Sequence, residues 1–176
     1  SGKTNLSPLP SHFSPQIDGG IVRMGIRKAE FRGKDDKLME WLGISDENYE
    51  NKDGSKGRLL VYYSLLTNDG TIPYDQVFFN YANEDFTDLE GDPIHFFDRG
   101  KSTIDMDIVY NPVDKLYHAF YKNEGDGGIC KVQAQTLTSE NGTKAPTWYK
   151  RSGALPQTTE AVEGAGVFKL INQNSW

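Results

Sequence analysis

Leu59-Leu60-Val61-Tyr62-Tyr63-Ser64, then Asn68-Asp69-Gly70, then Gln76-Val77-Phe78-Phe79-Asn80-Tyr81-Ala82 is the stretch that decides the fold class. The two outer runs are short, apolar and rich in aromatic and β-branched residues, and the tripeptide between them is turn chemistry. The unit reads as strand, turn, strand. Asp88-Leu89-Glu90-Gly91 marks another turn, and Ile94-His95-Phe96-Phe97 a third, shorter strand.

The same layout recurs downstream. Asp107 to Tyr110 reads as a short inner strand. Leu116-Tyr117-His118-Ala119-Phe120-Tyr121-Lys122 matches Leu60 to Ser64, and Gly125-Asp126-Gly127-Gly128 is its turn. Ile129 to Gln135 matches Gln76 to Ala82, Thr147-Trp148-Tyr149-Lys150 reads as an outer strand, and Val162 to Leu170 opens a third copy. The offset of about 55 residues suits four-stranded propeller blades. No segment keeps a 3.6-residue period over a helix length, so the chain is expected to be all-β, and the repeat favours a β-propeller over a sandwich.

The upstream part is less regular. Pro8, Pro10, Pro15, Gly19 and Gly20 make the first residues an extended loop. Ile21 to Arg27 alternates like a strand, Lys37 to Leu42 suits one helical turn or a strand, and the polar run Asp46 to Gly57 reads as loop. The expected organisation is therefore 1–57 loop-rich, 58–101 a blade, 102–160 a second blade, and 161–176 the start of the next.

Composition bounds the partners. The 176 residues suffice for one domain with a core. A net charge of -6 and scattered lysines and arginines argue against a nucleic-acid partner. No apolar stretch approaches the roughly 20 residues that span a bilayer, so no membrane span is expected. The single cysteine, Cys130, excludes an internal disulfide framework and a cysteine-built zinc site, and reads as a buried structural thiol. His12, His95 and His118 lie far apart and show no ligand spacing, so no metal and no other cofactor is expected. Ser1-Gly2-Lys3 reads as a processed or tag-cleaved start.

Chemistry points to two carboxylates. Ile104-Asp105-Met106-Asp107-Ile108-Val109-Tyr110 and Ala161-Val162-Glu163-Gly164-Ala165-Gly166-Val167-Phe168 each set an acid among apolar and small residues beside a β-prone run. Partial desolvation there raises a carboxyl pKa and suits it to proton transfer. Two such groups from successive repeats of one β-fold suggest glycoside cleavage. Asp107 shares strand parity with Asp105 and is its alternative; Glu160 reads as exposed. Gly164, Ala165 and Gly166 leave space for a sugar ring beside Glu163. Lys122 and Glu124 follow a strand and are expected at a cleft rim, binding sugar hydroxyls, with Phe13, Tyr110 and Trp148 as candidate stacking aromatics.

Several of these stretches, in order, resemble glycoside hydrolase family 43. They are Val77 to Pro93, Ser102 to Tyr110, Tyr117 to Gly125, and Gln157 to Leu170; residues 21–57 match poorly. Phe13-Ser14-Pro15-Gln16 is weakly similar to an element before an inner strand of the family. The resemblance implies a five-bladed β-propeller that cuts arabinose- or xylose-containing plant polysaccharides or oligosaccharides with inversion. It implies Glu163, in Val162-Glu163-Gly164, as the general acid, and Asp105, in Ile104-Asp105, as the modulator of its pKa. The family's general base sits in an Asp-Pro element on the first blade. Asp92-Pro93 has those letters but falls in an outer-strand turn. The chain thus covers about two of five blades, since a full propeller of this kind needs roughly twice the length. Self-association, or a longer polypeptide carrying the remainder, is expected to cover the open blade faces. Calcium lies at the axis in some relatives, but no evident site for it occurs here. The substrate class implies a secreted or periplasmic protein. The competing expectation is a non-catalytic carbohydrate-binding fragment that lacks the base.

Overall fold

The computed structural model describes residues 24–30, 38–65, 75–156, 158, 162 and 164–167. They form two antiparallel sheets, and no helix occurs among them. The first sheet holds β1 (Met24–Glu30), β2 (Leu38–Glu50), β3 (Lys56–Leu65), β4 (Gln76–Ala82) and β5 (Leu89–Phe97) in chain order. The second holds β6 (Thr103–Asn111), β7 (Leu116–Asn123) and β8 (Gly128–Ala134), also in chain order. Simple up-and-down order follows from the short turns, which can join only antiparallel neighbours. The fold is all-β, with two meander sheets stacked as in part of a β-propeller.

The strands expected at Leu59–Ser64, Gln76–Ala82, Leu116–Lys122 and Ile129–Gln135 all form, with no end displaced by more than three residues. Upstream, β1 overlaps the strand expected from Ile21 to Arg27, and β2 takes in the strand alternative for Lys37 to Leu42. The loop expected from Asp46 to Gly57 is corrected, because β2 runs on through Asp46 to Glu50. Its pairing joins Ser45 to Leu59 and Asp46 to Arg58, so a boundary at 58 cuts through one sheet. Composition misled because the outward positions of β2 are polar, while Ile44 and Asp46 keep the two-residue inward alternation. The turn at Asn68-Asp69-Gly70 lies outside the described residues.

One core joins the sheets. Leu60 and Tyr62 of β3, Val77, Phe79 and Tyr81 of β4, and Phe96 and Phe97 of β5 pack against Met106, Ile108, Tyr117, Ala119, Tyr121, Cys130 and Val132 of the second sheet. Each large apolar side chain contributes about 1.5–3 kcal/mol when fully buried. Polar ties fix how the sheets stack. The Ile108 amide, on the open edge of β6, donates to Tyr62 Oη at 3.0 Å, and Trp148 Nε1 donates to the Phe96 carbonyl at 2.8 Å.

The outer edge of β8 is closed without a full strand. The expected outer strand at Thr147–Lys150 reduces to one bridge, Gln133 with Tyr149. Beyond it, Ser152 N and Leu155 N reach the carbonyls of Lys131 and Ile129, both at 2.8 Å. The segment therefore advances three residues for every two of β8. Its backbone carbonyls fall out of step, and hydroxyls replace them: Ser152 Oγ accepts from Lys131 N and Thr158 Oγ1 from Ile129 N. These bonds satisfy the edge groups of β8 that would otherwise template further pairing.

Candidate active site

The candidate site lies where β6 begins and β7 ends, an end fixed by the pairs Thr103 with Asn123 and Ile104 with Lys122. A backbone bond from Thr103 N to Asp75 O (2.9 Å) holds this end to the start of β4, and one from Glu124 N to Ser102 O (3.1 Å) extends the pairing of β7 with β6.

A β-bulge shapes it. Ile104 pairs with Lys122 and Asp107 with Phe120, so Asp105 and Met106 together oppose Tyr121. Asp105 takes a left-handed backbone, φ 52°, and is half-buried. That conformation costs an ordinary L-residue roughly 1–2 kcal/mol, somewhat less for aspartate. Bulges re-aim side chains, and strained residues cluster at functional sites. The extra residue also breaks the alternation on which equal facing of Asp105 and Asp107 depended. Asp107 is 4% exposed, and its Oδ2 accepts the Val167 amide at 2.7 Å.

Lys122 is not at an open rim, and that expectation is corrected. Its side chain is 1% exposed, and Nζ donates to the Val162 carbonyl at 3.1 Å. A buried ammonium must be paired with acceptors, which explains why a lysine at the end of a central strand turns inward. Glu124, two residues on, is exposed. Glu163, Glu160 and Phe13 lie outside the described residues. Around Glu163, the chain at Gly164 and Gly166 is exposed, and a Cβ built on either would meet nothing within 4 Å.

Other candidates find structural partners. Tyr110 packs on Tyr117 with ring centroids 5.0 Å apart, and Trp148 packs on Phe96 and Phe97. Both belong to the margin of the core rather than to an open cleft. Asp92 is exposed on β5, the edge strand of its sheet. Cys130 is fully buried, and burial pushes its thiol up, which makes it a poor nucleophile. His118 is a packed strand residue between Asp114 Oδ2 (2.8 Å) and Gln133 Nε2 (3.1 Å). Among the described residues, no group of three or more His, Cys, Asp or Glu is arranged to hold a metal ion, and no helix is long and apolar enough to cross a membrane.

Sequence reasoning missed Asp46. It is 2% exposed at the opposite end of the sheets, beneath a groove of about 470 Å³ lined by residues that include Tyr49, Thr138 and Asn141. Tyr81 Oη donates to Asp46 Oδ2 at 2.6 Å, Thr138 Oγ1 to the same oxygen at 3.1 Å, and Asn48 N to Oδ1 at 3.2 Å. The signal was present as the alternation Leu42, Ile44, Asp46, hidden by the polar run that follows.

The family model described as "Probable glycosyl hydrolase domain", related to glycosyl hydrolase family 43, matches residues 39–176. The match opens inside β2 and takes in every later strand, so residues 39–57, which the resemblance left poorly matched, are part of it. No curated protein and no solved structure matches the chain. With most of its length matched and two stacked antiparallel sheets of the expected kind, the chain belongs to the glycosyl hydrolase 43-related domain family.

Proposed function

We propose that this chain forms part of an inverting glycoside hydrolase acting on arabinose- or xylose-containing plant polysaccharides or oligosaccharides. One observation carries the reading: a member of a glycosyl hydrolase family holds Asp105 in a left-handed bulge at the mouth of β6. In this reading Glu163 protonates the leaving oxygen. Asp105 raises the pKa of Glu163 by like-charge repulsion and keeps it protonated near neutral pH. A base from outside this chain activates water on the other face of the sugar, roughly 6.5–9.5 Å from the acid. Exposed Glu124, and Phe13, contact sugar hydroxyls and ring faces. Further blades or a second copy complete the ring, and the protein works outside the cytoplasm, where its polysaccharide is.

The second reading is a carbohydrate-binding unit without catalysis. It is favoured by Asp92, which is exposed on β5, the edge strand of its sheet, and so leaves no assigned general base among the described residues.

The test is hydrolysis of 4-nitrophenyl α-L-arabinofuranoside, 4-nitrophenyl β-D-xyloside and arabino- and xylo-oligosaccharides, with Glu163→Gln as control. Turnover in the wild type, lost in the control and giving the inverted anomer by NMR, is expected. Retention of turnover in Glu163→Gln overturns the assignment. Binding of the oligosaccharides without any turnover selects the second reading.

A further inference from the structure

Two buried charges at the end of the second sheet grip one short segment from both sides. Lys122 sits on β7, the middle strand of its sheet, with 1% of its surface exposed. Lysine is among the residues least often buried, because the ammonium loses its hydration and its long chain loses its rotamers. Asp107, on neighbouring β6, is almost as buried. Each turns its charge on the backbone of a segment about 40 to 60 residues later in the chain, since Lys122 Nζ donates to Val162 O at 3.1 Å and Val167 N donates to Asp107 Oδ2 at 2.7 Å.

The polarity is matched. A cation meets a carbonyl and an anion meets an amide, so both bonds are charge-assisted and roughly twice as strong as neutral ones. The stretch they bracket is Glu163-Gly164-Ala165-Gly166. Gly164 has φ 64°, and glycines at both 164 and 166 give the main chain wide freedom with no side chain to pack. Two of these four residues offer no side chain to pack, and the anchors in view lie at the ends of the stretch.

We propose that Lys122 and Asp107 are positioning residues that pin the main chain at Val162 and Val167 and thereby place the carboxylate carried between them. The catalytic half of this proposal rests on the reading of Glu163 as the acid; the anchoring half does not.

The experiment uses the full chain with Lys122→Met, Lys122→Arg, Asp107→Leu and Asp107→Asn. Hydrogen exchange by mass spectrometry reads the anchoring without any substrate. Peptides covering 162–167 are expected to exchange about tenfold faster in Lys122→Met and Asp107→Leu, with β7–β8 peptides unchanged and Asp107→Asn in between, because it keeps a carbonyl acceptor. Unchanged exchange at 162–167 in both apolar variants overturns the proposal. If Lys122→Met or Asp107→Leu fails to fold, Asp107→Asn carries the same comparison, with Lys122→Arg, which keeps a cationic donor, as the variant expected to exchange like the wild type. On whichever 4-nitrophenyl glycoside the wild type cleaves, kcat falls about 10- to 100-fold with KM nearly constant, and Lys122→Arg restores part of it. A loss of stability with kcat intact overturns the catalytic half. A wild type that cleaves neither glycoside overturns the glycosidase reading and that half together, while exchange still decides the anchoring.

Discussion

Each end of the stacked sheets buries aspartate, and the two ends use it in opposite ways. At the end where β2 and β8 finish, Asp46 sits where the register of β2 against β3 shifts, and it accepts from one amide and two hydroxyls. Burial, then the bond to Asp46, pushes the Tyr81 phenol above its usual range, so it stays a proton donor. The neighbouring turn locks on top. Asn141 bonds the Glu50 backbone in both directions, and Gly142 lies against the Tyr81 and Tyr49 rings. At the other end, Asp105 occupies a strained bulge, buried charges reach a distant segment, and the chain at Gly164 and Gly166 borders open space. A buried carboxylate is therefore no mark of a site by itself. Left-handed residues occur at both ends, Glu140 and Asn141 beside Asp46 included; the difference is that Asp105 itself carries the left-handed backbone while Asp46 does not.

Substitutions can break this contrast. The largest effect is expected from Asp105→Asn: turnover of the cleaved glycoside falls about a hundred- to ten-thousand-fold, the range of proton-transfer groups, with the melting temperature nearly unchanged because asparagine tolerates the left-handed conformation. Asp105→Gly should be equally inactive, since glycine keeps the left-handed backbone but supplies no carboxylate. Full activity in the glycine variant would sink the functional role of this residue.

Asp46→Ala is expected to cost about 3 kcal/mol in urea denaturation, because three donors lose their acceptor, while turnover per folded molecule stays the same. A cost below about 1 kcal/mol would erase the contrast between the two ends.

Gly142→Ala should cost about 2 kcal/mol, since its backbone is left-handed and a Cβ would meet Tyr81 Cε2 at 2.5 Å. Differential scanning calorimetry reads it, and a wild-type melting temperature would mean that the turn does not lock the groove.

The smallest effect concerns Asp114. Partial burial works against its carboxylate, but bonds from His118 and from the Leu116 amide outweigh that and hold its pKa below the usual range. A depressed pKa stabilises the fold above the unfolded value of about 3.9 and loses that contribution as pH falls through the folded value. Asp114→Asn should therefore lower stability at neutral pH by about 0.5 kcal/mol or less, given solvent screening, and match the wild type at strongly acid pH. Equal stability across the whole pH range would show that the pair contributes nothing.

The strands were legible where apolar runs alternate with turn residues, as in β3, β4, β7 and β8, because local pattern and burial agree there. β2 was only half legible. Its last residues, Asp46 to Glu50, are polar, and only pairing with β3 keeps them extended. Of the candidate site, Asp105 was legible as an acid in an apolar run, but its bulge was not, since an inserted residue leaves no mark in composition. Lys122 was misread for the same kind of reason. Nothing local in Tyr121-Lys122-Asn123 says that the partner of its ammonium is the carbonyl of Val162.

Sequence by itself determined the all-β class, because side-chain period and turn chemistry are legible along a short window; the five- and three-stranded make-up of the two sheets was not. Tertiary structure alone decided which aspartate is structural and which is strained, and where the buried lysine points. Those outcomes depend on contacts between residues 40 to 92 positions apart, and burial makes each such contact obligatory only once the sheets have stacked.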